Sequence, residues 1–142
     1  MDALLDANVV LNFSTGRNDP FLHDSEKIME LAADGRFNGY IAFHSLSVIW
    51  YVLRRGRTVE QTRQSLGLIC DILTTVSIPH SQVVKAIHNK AFSDFEDCLQ
   101  DECASFMNAD YLVTCNGKDF AAAKTKIVSP AEFLSILEKK DC

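Results

Sequence analysis

Short apolar runs alternate with amphipathic segments along most of the chain. The runs predict strands, at residues 3–5, 39–43, 74–78, 111–114 and, as an edge strand, 127–128. Between them, apolar side chains recur at the spacing of helices, and these segments span residues 19–35, 45–53, 58–72, 81–89, 94–107 and 129 onwards. Strands that alternate with helices in this way indicate an α/β fold with a mainly parallel sheet.

Capping signals place several of the helix boundaries. Asp19 followed by Pro is typical of a helix start. Thr58 with Gln61 forms a capping box before one helix, and residues 129–132, which read Ser-Pro-Ala-Glu, form a second before the last one. The segment 46–53 is apolar nearly all round, which predicts a buried helix.

The composition indicates an ordinary globular protein. The chain has 142 residues, 47% of them hydrophobic and 23% charged, with no repeat or linker, so we expect one domain over residues 1–142. No apolar run approaches the roughly 20 residues of a membrane span, and no basic segment precedes an apolar stretch as in a signal peptide. Five cysteines without a CxxC motif argue against a disulfide framework and structural zinc, and predict a cytoplasmic location.

The net charge of −5 comes from 19 acidic residues against 14 Lys and Arg. Proteins that hold duplex DNA by bulk electrostatics are usually basic, which makes that class a poor fit. An acidic chain can still act on nucleic acid where its carboxylates hold metal ions. The positions of the acids are therefore more informative than their sum.

The first acidic segment is Asp6, directly after the strand predicted at residues 3–5. A carboxylate at that place is partly buried, which costs several kcal/mol unless it is paired or binds a cation. The alternative is that Asp6 only caps the following helix, a common use of Asp.

The second acidic segment opens the helix predicted at residues 94–107. At 100° per residue, Asp94, Asp97 and Asp101 share an arc of about 60°, and no Lys or Arg on this helix relieves their repulsion. Glu96 is predicted to point away from this stripe. The core face is expected to carry Phe95, Leu99, Cys103 and Phe106. The alternative, strongest for Asp94, is a solvated acidic face at a helix N-terminus.

The third segment follows the strand predicted at residues 111–114. An Asn-Gly turn there would present Thr114, Asn116 and Asp119 at the strand end, unless it is a plain surface turn in which Asp119 caps a short helix. Carboxyl ends of parallel strands gather chemistry, and oxygen ligands favour Mg²⁺ or Mn²⁺ over zinc. The histidines at 23, 44, 80 and 88 lack metal-binding spacings and are interpreted as ordinary core or surface residues.

In these segments the sequence resembles the PIN-domain family of small metal-dependent ribonucleases, which includes the VapC-type toxins. Four segments carry the resemblance, and they are residues 5–11 with the D-x-N strand end, 94–97 with D-F-x-D, 111–120 with T-x-N and D-F, and 128–134. Each motif is short, but their order and separation are fairly specific, and they cover almost the whole chain.

One position departs from the family pattern. Many PIN nucleases carry a Glu on the helix after the second strand, whereas Val48 stands at the matching position here and no acid lies between Gly39 and Arg57. The helix instead resembles a toxin branch that reads S-L-x-x-I-Y-Y-x-L-R. Asn116 is also neutral, where a further acid often stands.

The resemblance implies a three-layer α/β/α sandwich, a homodimer and the toxin component of a toxin–antitoxin pair. Its activity would be endoribonuclease cleavage by a water that Mg²⁺ or Mn²⁺ activates. Asp6 and Asp97, with Asp94, would hold the ion, while Asp119 supplements them and Asn116 orients water or substrate. The residues predicted to contact RNA are Arg54, Arg55, Arg57 and Lys118, although basic residues at a helix end also complement its dipole.

Two other classes remain open at this point. One is a PIN-fold module without activity that binds RNA or a partner protein, and the Glu that is absent at Val48 favours it. The other is a receiver-like phosphoacceptor domain, which needs a Lys at a late strand end. Lys118 follows a turn instead.

Overall fold

The sheet organises the structure. The computed structural model describes residues 1–16 and 19–140, so Cys142 lies outside the described residues. The strands are β1 (Asp2–Leu5), β2 (Asn38–Ala42), β3 (Thr74–Val76), β4 (Tyr111–Val113) and β5 (Ile127–Val128). They form one sheet of order β3-β2-β1-β4-β5 in which every pairing is parallel. The predicted parallel α/β class is confirmed.

Helices connect these strands. They are α1 (Ala7–Thr15), α2 (Leu22–Ala33), α3 (Phe43–Leu53), α4 (Val59–Ile72), α5 (His80–Ile87), α6 (Phe95–Phe106) and α7 (Pro130–Lys140), with a short 3₁₀ helix at Gly117–Phe120. Both predicted capping boxes form. Thr58 and Gln61 exchange hydrogen bonds of 3.0 and 3.1 Å, and Ser129 and Glu132 exchange bonds of 2.9 and 3.1 Å.

Alternation along the strands produces three layers. In β1, Ala3 and Leu5 belong to one buried apolar cluster and Leu4 to another, because successive side chains of a strand point to opposite faces. The first cluster includes side chains from α1, α2, α3, α4 and α7, and the second includes Cys103 and Ala104 of α6. The central sheet is therefore covered on both faces, as in the expected α/β/α sandwich.

Two predictions about the helices are wrong in detail. Helix α2 begins at Leu22, because the carboxylate of Asp19 accepts a 2.8 Å hydrogen bond from the backbone of Phe21 in a turn before the helix. Helix α3 is buried on one side only. Phe43 and Tyr51 are 62% and 66% exposed, since other elements cover only the side of this helix that faces the core.

The predicted core face of α6 is wrong in part, because Cys103 is buried as expected but the two phenylalanines are not. Phe95 and Phe106 are 48% and 52% exposed, whereas Cys98 and residues 100–104 are buried. The helix lies against β2, β4, α5 and the 3₁₀ helix, so several of its polar side chains are enclosed. Helical periodicity alone treats a polar residue as exposed, and here that assumption fails.

Asp101 shows what a buried acid on α6 does. It is 1% exposed, and its carboxylate accepts backbone hydrogen bonds of 3.0 to 3.2 Å from Lys124 and Thr125. Although Asp101 shares the helical stripe with Asp94 and Asp97, its carboxylate fastens the loop before β5 to the helix.

The structure also bears on membrane insertion. None of the helices in the described part of the chain combines the length and apolar character needed to cross a membrane.

We expect Asp101→Ala to lower the free energy of unfolding by about 2–3 kcal/mol, because it leaves buried backbone donors without a charged acceptor. Urea denaturation measures this change. Asp71→Ala removes an exposed carboxylate from α4 and should change stability by less than about 0.5 kcal/mol. Equal losses in the two variants would contradict a structural role for Asp101.

Candidate functional site

Asp6 stands at the carboxyl end of the central strand. It occupies the N-cap position of α1, but its side chain makes no capping hydrogen bond, so capping does not explain it. Its carboxylate is instead held by the Thr114 hydroxyl, which donates a 2.8 Å bond, and the residue is 2% exposed. Burial raises the pKa of Asp6 to about 6; the charge of Glu96 adds to this rise, while the bond from Thr114 opposes it.

Asp94 opens helix α6 and caps it. Its carboxylate accepts a 3.0 Å hydrogen bond from the backbone N–H of Asp97. Carboxylate oxygens of Asp94, Glu96 and Asp97 nevertheless lie within 4.8 Å of one another. The helix start therefore gathers three negative charges in one place.

Asp97 lies at the electrostatic centre of the site. Its pKa is raised to about 7, first by burial and then by the negative charges of Asp94, Asp6, Glu96 and Asp119. All of the charges that shift it are negative. Charges from three acidic segments that lie far apart in sequence therefore act on this carboxylate.

Glu96 is part of this group, and its predicted orientation away from the acids is wrong. Its Oε1 lies 3.2 Å from His44 Nε2 and accepts a 2.7 Å hydrogen bond from Gln100. Burial by itself raises the pKa of Glu96, but the hydrogen bonds from His44 and Gln100 outweigh it and the pKa lies below its usual range. A helical projection measures angles about one axis and does not show that His44 of α3 lies beside Glu96.

His44 is the site residue that sequence reasoning missed. It was grouped with the ordinary histidines because it matches no metal-binding spacing. A usable signal was its position two residues after β2, at the same edge of the sheet as Asp6. Parallel strand order brings those ends together.

Asn116 and Asp119 lie at the exposed rim of the site. The backbone N–H of Asn116 donates to the Thr114 hydroxyl over 3.1 Å, so one hydroxyl connects this turn to Asp6. Asp119 lies inside the 3₁₀ helix and does not cap it, and its charge contributes to the raised pKa of Asp97.

The basic residues predicted to contact RNA differ in how they are engaged. Arg54 donates to the carbonyl oxygen of Arg57, and Arg57 donates to Ser65 and to a backbone carbonyl at the end of α1. Arg55 lies over the ring of Tyr51, 5.2 Å from its centroid. Lys118 is exposed in the 3₁₀ helix. Arg54 and Arg57 thus support the end of α3, and contact of all four residues with RNA stays a prediction.

The donor set fits a hard divalent cation. Every candidate ligand of the group is a carboxylate, the donor that Mg²⁺ and Mn²⁺ favour. Burial first, and then neighbouring negative charges, raise the pKa values of Asp6 and Asp97. A bound cation would remove that repulsion.

The fold and the site together define a small parallel α/β protein with an acidic centre at the carboxyl edge of its sheet. A family model described as a PIN domain matches residues 2–118, and the chain therefore belongs to the PIN-domain family. No curated protein matches the chain closely enough to add to this assignment.

Solved structures with the same fold include two VapBC structures and a toxin. VapBC2 from Rickettsia felis, bound to a DNA fragment from its promoter, is similar with a TM-score of 0.70 at 18% identity, over 91% of this chain and 98% of that one. VapBC-1 from nontypeable Haemophilus influenzae gives a TM-score of 0.67 at 17% identity, over 92% and 99%. Mycobacterium tuberculosis VapC20, described as a toxin that cleaves the sarcin–ricin loop, gives 0.66 at 13% identity, over 84% and 94%. At these identities the likeness concerns the fold.

The raised pKa values lead to a prediction about the metal-free protein. Because Asp6 and Asp97 titrate higher in the fold than their ordinary value of 3.8, they favour the folded state most at low pH, and this contribution is lost as the pH rises through about 6 to 7. With a chelator at pH 8, Asp97→Asn should therefore be more stable than the wild type. The difference should shrink toward pH 4 to 5, and chemical denaturation at the two pH values measures it. A variant less stable than the wild type at pH 8 would show that Asp97 is not under repulsion.

Proposed function

We propose that this chain is a divalent-metal-dependent endoribonuclease of PIN type and the toxin of a toxin–antitoxin pair. The observation that carries the proposal is the group of carboxylates of Asp94, Glu96 and Asp97 at the start of α6, together with the charge of Asp6, buried at the end of β1, which acts on Asp97. Family membership supports it, because PIN nucleases generally use such acids with divalent metals.

Asp6, Asp94 and Asp97 would hold the ion. When bound, Mg²⁺ or Mn²⁺ lowers the pKa of a water and neutralises charge that develops on the phosphate. Thr114 fixes the orientation of the Asp6 carboxylate through its 2.8 Å bond, so that residue needs little rearrangement. Asn116, which is exposed, would orient water or substrate.

The toxin role and the antitoxin partner are proposed from the structural neighbours. VapBC2 and FitAB are both complexes bound to DNA fragments. Exposed apolar side chains support a protein partner on α3 and α5, where Phe43, Tyr51 and Ile87 are each at least 60% exposed. A homodimer and an RNA substrate remain predictions.

The second candidate is an inactive PIN-fold module that binds RNA or a partner protein. Val48 favours it, because helix α3 carries no acid at the position where many relatives have a Glu. Purified protein that binds RNA or a partner but cuts no RNA with Mg²⁺ or Mn²⁺ would establish this candidate and exclude the nuclease.

Activity tests the proposal directly. Asp6→Asn and Asp97→Asn should each lower single-turnover RNA cleavage by at least about 100-fold, because each removes a carboxylate that holds the ion. Asp71→Asn removes the same charge from the exposed surface of α4 and should cut at the wild-type rate. Cleavage that survives excess EDTA, or that Asp97→Asn leaves intact, would contradict the proposal.

A further inference from the structure

The side of helix α3 that faces the site carries no acidic residue. His44 lies on the side of α3 that contacts Glu96, and Val48 follows it one helical turn later, so both share that side. Val48 is 37% exposed and does not belong to the buried core. The side of α3 that approaches the carboxylates therefore offers an imidazole and an apolar side chain.

Glu96 receives a hydrogen bond from Gln100 at this helix contact and lies beside the imidazole of His44. His44 of α3 and Gln100 of α6 both contact its Oε1, at 3.2 and 2.7 Å. Gln100 is fully buried, and its amide nitrogen also lies 2.6 Å from the hydroxyl of Ser45 on α3. Few surface glutamates are fixed from two helices in this way, since a long exposed side chain ordinarily keeps its rotamer freedom.

A buried polar atom also remains without a partner at this contact. The Oε1 of Gln100 has no hydrogen-bond partner among the described residues, although a buried amide oxygen is ordinarily satisfied. This atom belongs to the amide group that bonds Glu96. One hydrogen-bond acceptor at this polar contact is therefore left unsatisfied by the described residues.

Glu96 is also close enough to act with the other acids. One of its carboxylate oxygens lies within 4.8 Å of those of Asp94 and Asp97. Its charge acts on Asp6 as well, although Asp6 lies in a different segment and a different layer of the fold. The carboxylate of Glu96 thus lies beside those of Asp94 and Asp97 and acts electrostatically on Asp6.

We propose that Glu96 supplies to the metal site the carboxylate that α3 lacks at Val48, and that His44 and Gln100 are positioning residues for it. The inference rests on the proposed function, because it assigns a further ligand to the same site. In this arrangement the ligand comes from α6 instead of α3, and His44 of α3 helps to hold it in place.

Metal binding tests the proposal without reference to catalysis. Calorimetric titration with Mn²⁺ should give a Kd at least about 10-fold higher for Glu96→Gln than for the wild type, the scale seen when metal-site partners are removed. The rise of melting temperature with Mn²⁺ should fall accordingly. Glu26→Gln is the matched control, since it removes the same charge from an exposed position on α2, and its Kd should stay within about 2-fold.

Two more variants separate a ligand from a merely structural residue. Gln100→Leu keeps the carboxylate and the approximate volume but removes its donor, so Mn²⁺ binding should weaken while the Mn²⁺-free fold persists. Val48→Glu should be tolerated, because Val48 is 37% exposed, and in the double variant Val48→Glu/Glu96→Gln it should restore most of the lost Mn²⁺ affinity. A structural defect at Glu96 would not be repaired by an acid on the neighbouring helix.

The outcomes distinguish this inference from the proposed function. A wild type that binds no Mn²⁺ would overturn both. A different result would overturn the role of Glu96 alone. In it, the wild type binds Mn²⁺, Asp97→Asn does not, and Glu96→Gln binds Mn²⁺ as tightly as the wild type. Failure of Val48→Glu to restore affinity in the double variant would likewise overturn the exchange between helices.

Discussion

The parallel pairing of β1 with β2 on one side and β4 on the other brings the functional segments of this protein together. Parallel neighbours end at the same edge of a sheet, so Asp6, His44 and Thr114 meet there although they are separated by up to 108 residues. The Thr114 hydroxyl then joins two of these strand ends with a single hydrogen bond to Asp6. The acidic N-terminus of helix α6 lies at the same edge. The site therefore depends on the parallel order of the strands, which makes them end there.

The acidic site lowers the free energy of unfolding of the metal-free protein. Burial and like charges raise the pKa of Asp97 to about 7 and that of Asp6 to about 6, which means that ionising both groups near neutral pH weakens the metal-free fold. Asp101, an acid of the same helix, contributes in the opposite direction because backbone donors surround its carboxylate. Two aspartates on the same helix therefore differ: Asp97 experiences repulsion, whereas Asp101, about one turn later, stabilises the fold. Strain of this kind is a common property of functional sites.

Much of the fold could be predicted from local signals. Apolar runs located the strands, and the capping pairs at Thr58 and Ser129 located helix starts, because these features depend on residues near one another in sequence. The position of Asp6 at a strand end could also be predicted, since it directly follows the apolar run that forms β1. Predictions about orientation were weaker. Phe95 was expected in the core and is 48% exposed, and Glu96 was expected to face away from the acids.

The sequence by itself determined the α/β class, the sheet-edge location of the acids and the family, because each follows from local pattern and order along the chain. Only the tertiary structure decided which acids face one another. The angle of a side chain about its own helix is a local quantity, whereas its environment depends on the elements packed around that helix. Glu96 belongs to the acidic centre, where His44 of α3 lies against it. Asp101 does not belong to it, because its carboxylate is bonded to the loop before β5. Both contacts join residues far apart in sequence, and no local pattern encodes them.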